Sequence, residues 1–142
     1  MKKITRMIWV MGVLMLAGFC LSSCDRSLDV QTVFPFEVDA MPVRKDIALG
    51  ETAEIRCLLT SEGDFSDTRY TIRYFQPEGE GELRLDGVVF EPNERYPLES
   101  KSFRLYYTSR STDRQLIDIY IEDNHGQLQH LSFDFNNKRT EL

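Results

Sequence analysis

Apolar and polar residues alternate with a period of two along several stretches of this chain. The clearest stretches have apolar side chains at Ile55, Cys57 and Leu59; at Tyr70, Ile72 and Tyr74; at Phe103, Leu105 and Tyr107; at Ile117, Ile119 and Ile121; and at Leu131, Phe133 and Phe135. Alternate side chains of a β-strand point to the same face, so each stretch predicts a strand with one buried face. Weaker patterns predict strands around 33–38, 43–49, 81–85 and 88–90.

Turn-forming residues separate these stretches. Leu49-Gly50-Glu51, Asp86-Gly87 and Asn124-His125-Gly126 are typical of tight turns, because glycine adopts positive φ without strain. We interpret 77–81, 91–93 and Tyr96-Pro97 as loops. No stretch shows a helical period, so we predict an all-β fold.

About seven to nine short strands in roughly 105 residues favour an immunoglobulin-like, two-sheet β-sandwich. The strand with Cys57 takes the place of the second strand of such a domain. A fibronectin- or transthyretin-like sandwich fits equally well, because the chain after residue 23 has neither a tryptophan nor a second interior cysteine. We expect the sandwich to span 33–136 and a flexible tail to span 137–142.

The first residues have the pattern of an export signal. Met1–Arg6 carry three cations and no acid, and an apolar run from Met7 to Phe19 follows. That run is shorter than the roughly 20 residues of a transmembrane helix. Leu21-Ser22-Ser23-Cys24 matches the lipobox of bacterial lipoproteins. We therefore predict a signal peptide over 1–23, a lipid on Cys24 that anchors the chain in a membrane, and a tether over 24–32.

The charge of the chain excludes one class of partner. The precursor has a net charge of −6, and loss of 1–23 removes three cations and no acid, which leaves −9. A nucleic-acid backbone would be repelled, so we expect no direct contact with DNA or RNA. Only Cys57 remains as an interior thiol, so no intramolecular disulfide can form.

No group of residues has the spacing of a catalytic or metal site. His130, Ser132 and Asp134 follow one strand face, where neighbours are about 6.6 Å apart, whereas a nucleophile and its base need about 2.6–3.2 Å. Cys57 has inward parity and is interpreted as a small buried hydrophobe. The acids between Glu78 and Glu82 lack the loop pattern of a calcium site. We expect no catalytic residue, no metal and no cofactor other than the lipid on Cys24.

Three aromatic residues have outward positions. Tyr106 and Tyr120 lie on the polar faces of their strands, and Phe75 lies near a strand end. Tyrosine and phenylalanine are enriched in the centres of protein interfaces. We identify Phe75, Tyr106 and Tyr120 as the candidate interaction surface.

Outward charges indicate which strands are neighbours. Arg69 and Arg73 lie on one strand, and Asp118 and Glu122 lie on another. Opposite charges on adjacent strands contribute about 0.2–1 kcal/mol. The two strands are therefore predicted to be paired, as they are in an immunoglobulin-like order.

Several segments together resemble a known family. In order behind the lipobox, they are Phe34-Pro35-Phe36, Met41-Pro42-Val43, 50–57, 72–77, 81–84, Tyr96-Pro97-Leu98, 103–109 and 118–124. They are similar to the TraQ lipoprotein family of Bacteroides-type conjugative transposons, over about 34–136. The resemblance implies a role in conjugal DNA transfer beside other proteins of the mating apparatus. It implies no enzymatic activity and no catalytic residue.

The leading hypothesis is a non-catalytic, membrane-anchored accessory or assembly component that works through protein–protein contacts. The alternative is a surface lipoprotein module that binds a glycan or another ligand, and a third reading is an enzyme. A glycan site groups aromatic and carboxylate side chains in a groove, whereas a protein interface is a broader, flatter patch. We expect the protein in the cell envelope, on the outer membrane with its domain facing the periplasm; the alternative is a domain exposed at the cell surface.

Overall fold

The computed structural model describes residues 33–138, which form two five-stranded sheets around one core. The strands are β1 (Phe36–Ala40), β2 (Asp46–Ile47), β3 (Thr52–Ser61), β4 (Tyr70–Glu78), β5 (Gly81–Leu85), β6 (Val88–Val89), β7 (Tyr96–Leu98), β8 (Ser102–Ser109), β9 (Gln115–Asp123) and β10 (Leu128–Asn137). Within 33–138 no helix is long and apolar enough to cross a bilayer. The predicted all-β sandwich is confirmed.

The order of the strands is that of an immunoglobulin-like domain. Sheet 1 has the order β1-β3-β8-β5-β6, and sheet 2 has the order β2-β10-β9-β4-β7. All pairs are antiparallel except β2 with β10, which is parallel. The run β1-β3-β8-β5 corresponds to strands A-B-E-D, and β10-β9-β4 to G-F-C. The strand with Cys57 therefore takes the second position, as predicted.

The core consists of the inward-facing positions of the long strands. Buried and exposed residues alternate along β3, and the inward residues of β8, β9 and the middle of β4 (Ile72 and Tyr74) are buried. Each fully buried large apolar side chain contributes about 1.5–3 kcal/mol. β10 departs from this pattern, since its inward residues Leu131 and Phe133 are only partly buried.

Two predicted loops belong to strands. Tyr96-Pro97 lies in β7, which pairs with β4 at the edge of sheet 2. An edge strand tolerates proline because one of its sides needs no N–H donor. Pro77 lies in the last part of β4, beyond Phe75, where the register with β9 shifts.

The predicted tight turns form. Asp86 and Gly87 both have positive φ, of 49° and 79°, and they join the paired residues Leu85 and Val88 in a two-residue hairpin. Gly126, with a φ of 87°, lies in the turn between β9 and β10. This last turn sets the register that places Tyr120 opposite His130.

Candidate functional site

A group of aromatic and charged side chains lies at the centre of the outer face of sheet 2. We call Arg73, Phe75, Tyr120 and His130 the sheet-2 cluster. Arg73 of β4 is paired with Tyr120 of β9, and Tyr120 is paired with His130 of β10, so these three form one row across the sheet. Phe75 lies one outward position further along β4. The period of two therefore puts all four on the solvent side.

The rings of the sheet-2 cluster contact each other directly. Tyr120 and His130 are stacked with 4.6 Å between centroids, and Phe75 meets Tyr120 edge-on at 5.6 Å. The guanidinium carbon of Arg73 is 5.5 Å from the Phe75 centroid and 5.8 Å from that of Tyr120. Aromatic pairs of this kind contribute about 0.5–1.5 kcal/mol beyond burial. The four side chains are therefore held in place.

Two carboxylates fix the polar members of the cluster. Glu122 accepts a hydrogen bond from Arg73 at 2.9 Å and pairs with Arg95 at 3.3 Å. Asp118 lies 3.0 Å from His130 Nε2. The predicted pairing of the two strands is confirmed, with Arg73 and Glu122 as the ion pair.

Arg69 does not take part in that ion pairing. Its guanidinium donates to the backbone carbonyls of Ser66 and Thr68, at 2.8 and 3.1 Å. Of the two arginines predicted to face acids on β9, only Arg73 does so.

The structure separates the three predicted surface aromatics. Phe75 and Tyr120 lie together, whereas Tyr106 lies on the outer face of sheet 1, where it is paired with Glu54 on one side and Arg84 on the other. His130 belongs to the cluster but was not predicted. The predicted turn between β9 and β10 could have identified His130, because a tight hairpin there places it opposite Tyr120.

His130, Ser132 and Asp134 do not form a catalytic group. His130 is bound to Asp118, and both carboxylate oxygens of Asp134 accept hydrogen bonds from Arg114. The hydrogen bonds from Arg114 lower the pKa of Asp134. Each potential partner of Ser132 is thus engaged elsewhere.

Cys57 is a core residue of β3. It is 4% exposed, and burial raises the pKa of its thiol to about 12. The thiolate is the nucleophilic form of cysteine, and it is not populated near neutral pH with such a pKa. The sulfur therefore packs as a small apolar group, in agreement with its predicted parity.

Glu82 contacts a cation, and Asp123, beside the turn between β9 and β10, contacts backbone amides. Glu82 pairs with Arg110 at 3.4 Å, and one Asp123 oxygen accepts the backbone N–H of His125 and of Gln127, at 3.0 and 2.8 Å. Across residues 33–138, no three side chains of the metal-binding types converge.

A buried polar group joins the two sheets near one end of the sandwich. The hydroxyl of Tyr107 lies 3.1 Å from Gln76 Oε1 and also contacts Gln115 Oε1. Gln115 Nε2 in turn donates to Ser109 Oγ and to the carbonyl of Ser111. Burial raises the pKa of Tyr107 to about 12, so its hydroxyl stays protonated and serves the structure.

Solved structures from Bacteroides are similar to this chain. A conjugative transposon lipoprotein from Bacteroides eggerthii DSM 20697 is 53% identical with a TM-score of 0.69, over 72% of this chain and 98% of that one. A lipoprotein from Bacteroides thetaiotaomicron is 52% identical with a TM-score of 0.69, over 82% and 91%. A conjugate transposon protein (27-141) from Bacteroides vulgatus is 51% identical with a TM-score of 0.66, over 80% and 93%.

No curated protein sequence matches this chain. The family model described as TraQ conjugal transfer protein matches residues 7–138, which is nearly the whole chain. The match confirms the resemblance seen in the sequence segments. This chain therefore belongs to the TraQ conjugal transfer protein family.

Proposed function

We propose that this protein is a non-catalytic lipoprotein that serves a conjugative-transposon DNA transfer apparatus as an accessory or assembly component, through protein–protein contacts. Membership of the TraQ family supports the link to conjugal transfer. The Bacteroides eggerthii relative, a conjugative transposon lipoprotein, supports the anchored form. Cys24 lies outside the described residues, and its place at the end of the lipobox supports acylation there.

The sheet-2 cluster is the observation that carries the contact role. Tyrosine and arginine dominate the residues that contribute most to binding at protein interfaces. Binding costs less when such side chains are already ordered. Here Glu122 holds Arg73, and stacking on His130 holds Tyr120. The cluster is thus a partner surface that needs little rearrangement.

The shape and chemistry of the cluster favour a protein over a glycan. Asp118 and Glu122 are the carboxylates beside the rings, and both are already paired with cluster residues. Cavities of about 220–580 Å³ lie on the described domain, and the linings of these cavities include neither Phe75 nor Tyr120. The rings therefore lie on an open sheet face. Binding of the soluble domain to a glycan array would contradict this choice.

We propose that the lipid anchor lies in the outer membrane, with the domain in the periplasm. The net charge is −9 after removal of 1–23, and such an acidic domain is not attracted to anionic lipid head groups. The lipid would therefore bind the protein to the membrane. Protease treatment of intact cells tests the orientation. Cleavage of the domain in unbroken cells would reverse it.

The experiment for the contact role is the double variant Phe75→Ala/Tyr120→Ala in donor cells. Loss of a single interface residue that contributes about 2 kcal/mol lowers binding affinity roughly 30-fold. We therefore expect the double variant to lower transfer frequency at least tenfold. Tyr106→Ala is the matched control, since it removes an outer-face tyrosine from sheet 1. The double variant loses the ring contacts of the cluster and should be less stable than wild type, so the levels of both proteins in the cell and their native β-sheet content are measured beside transfer. Normal transfer with the double variant would exclude the sheet-2 cluster as the contact surface.

A further inference from the structure

Arg69 differs from every other arginine of the described part of the chain. Within 33–138 each of the others, from Arg44 to Arg114, forms an ion pair with a glutamate or an aspartate. The whole chain has 23 acidic residues, so carboxylates are abundant. Arg69 nevertheless pairs with no acid of 33–138. No carboxylate of the described domain therefore offsets its charge directly.

Backbone carbonyls hold the guanidinium of Arg69 in one orientation. Its Nη1 donates to the carbonyls of Ser66 and Thr68, at 2.8 and 3.1 Å. The other edge of the planar group, formed by Nε and Nη2, makes no hydrogen bond within 33–138, and the side chain is exposed. Two parallel N–H donors of this kind match the two oxygens of a carboxylate. Arg69 thus presents an oriented carboxylate-binding edge.

Arg69 lines a groove at the start of β4. This cavity of about 580 Å³ extends beside Thr71, and its charged lining residues are Arg69, Glu99 and Lys101. Lys101 is already bound to Asp64. Glu99 follows β7 and lies across from Arg69, yet Arg69 bonds the two carbonyls and does not pair with Glu99. The wall on the β4 side therefore offers the free guanidinium edge.

The groove and the sheet-2 cluster lie on one continuous face. Thr71 and Arg73 are successive outward residues of β4, and Arg69 is the next outward residue before the strand begins. Arg73 belongs to the cluster and is paired with Tyr120. Four residues of an extended strand span about 13 Å. A partner segment in extended form would therefore reach from Arg69 to the row of Arg73 and Tyr120 with about four residues.

We propose that Arg69 binds a carboxylate of the partner that contacts the sheet-2 cluster. The partner segment carries an aspartate or glutamate side chain at Arg69 and a large apolar or aromatic side chain about four residues away, at Tyr120. The inference rests on the proposed protein-contact function. It adds a contact residue and the chemistry of the partner segment.

The charge of the whole protein favours a single carboxylate over a phosphate polymer or an anionic membrane. After loss of 1–23 the chain would carry −9, which repels a nucleic acid or a surface of anionic lipids. One acid within an apolar segment brings a single negative charge, and the guanidinium binds it at short range. A second copy of this chain would also carry −9, so the segment is expected to belong to a different protein.

Two neutral variants of the same groove test the proposal. Arg69→Gln removes the charge and the free edge, so transfer frequency should fall about tenfold or more at a normal protein level. Glu99→Gln is the matched control, because it removes a charge from the opposite wall and should leave transfer unchanged or raise it. Equal losses in both variants would mean that Arg69 and Glu99 act as a pair, which overturns the proposal. Normal transfer with Arg69→Gln would also overturn it.

The second test leaves Arg69 in place. The photocrosslinker p-benzoylphenylalanine replaces Thr71 in the full-length protein, and mating cells are irradiated. We expect a crosslink to another protein, at a segment that contains an aspartate or a glutamate. A synthetic peptide of that segment should bind the purified full-length protein, and replacing its acid by the amide should weaken binding about tenfold or more. A crosslinked homodimer, a crosslink to residues 24–32 of the same chain, a segment that binds equally well without its acid, or no crosslink would each overturn the proposal.

Failure of this inference can be distinguished from failure of the proposed function. Normal transfer with Arg69→Gln beside reduced transfer with Phe75→Ala/Tyr120→Ala would keep the cluster as the contact surface and remove Arg69 from it. Normal transfer after deletion of the whole gene would instead overturn the proposed function.

Discussion

The side chain of Tyr107 joins the two sheets through both its ring and its hydroxyl. It belongs to β8 of sheet 1, its ring stacks on Phe135 of sheet 2 at 5.2 Å, and its hydroxyl contacts Gln76 and Gln115 of the same sheet. Gly81 makes this possible, because a Cβ there would lie 2.1 Å from the Tyr107 oxygen. A residue without a side chain is thus required beside the ring.

Tyr107→Phe should destabilise the domain by about 1–3 kcal/mol, because a buried amide carbonyl loses its donor. Urea unfolding measures the change, and Tyr106→Phe on the outer face should stay within about 0.5 kcal/mol of wild type.

The pKa of Tyr107 is about 12 when folded, against an ordinary value of 10.0. The unfolded chain therefore releases a proton between pH 10 and 12 that the folded chain keeps, so stability falls as pH rises through that window. The stability of Tyr107→Phe should fall less steeply between pH 10 and 12. Equal slopes for the variant and wild type would show that Tyr107 does not cause the pH dependence.

The hairpin of β9 and β10 depends on a single carboxylate. Asp123 accepts two backbone N–H groups of the turn and the side-chain amide of Gln127. Gln127 also donates to the carbonyl of Phe34, at 2.8 Å, so the same group holds the start of the described chain. The turn and the entry to β1 are therefore stabilised together.

Asp123→Ala should cost about 2 kcal/mol or more, since it leaves two turn N–H groups without their acceptor. Asp67→Ala is the control, because its backbone carbonyl rather than its carboxylate binds Asn124. Thermal unfolding of both variants gives the comparison. Equal melting temperatures would mean that water replaces the carboxylate without cost.

The elements that the sequence predicts well are those with a strong contrast between two faces. β3 and β9 have this contrast along their whole length and β8 has it from Ser102 to Tyr107, so their alternation predicts both the strands and the inward residues. β7 has only three residues and a proline, and its strand character comes from pairing with β4. Parity alone also puts Phe75, Tyr106 and Tyr120 outside. It cannot assign them to a sheet, because sheet membership depends on pairings between residues distant in the chain.

At the scale of the whole molecule, the core of the described part extends from Phe36 to Phe135. All buried apolar residues of the described part belong to 36–135, and the Bacteroides vulgatus relative was solved as residues 27–141. We therefore expect the domain to fold without the segment that precedes residue 33.

Cys24→Ala should give a folded domain that is released from the membrane fraction, with transfer frequency reduced. Each buried methylene of the lost acyl chains would contribute about 0.8 kcal/mol to membrane binding, and the acidic domain is not attracted to anionic lipid head groups. Cell fractionation with mating assays measures both effects, and Cys57→Ala is the control because that thiol is buried in the core. Normal transfer from the soluble form would show that the anchor is dispensable.

The antiparallel pairing of β1 with β3 has a mechanical consequence. Phe36, at the start of β1, is paired with Ser61, at the end of β3, and the ladder continues to Ala40 opposite Cys57. A pull along β1 from its first residue therefore loads the hydrogen bonds of the ladder in shear, all at once, instead of peeling them one by one. If the lipid proposed on Cys24 and a partner on sheet 2 pulled against each other along β1, the hydrogen bonds of this ladder would resist the pull together.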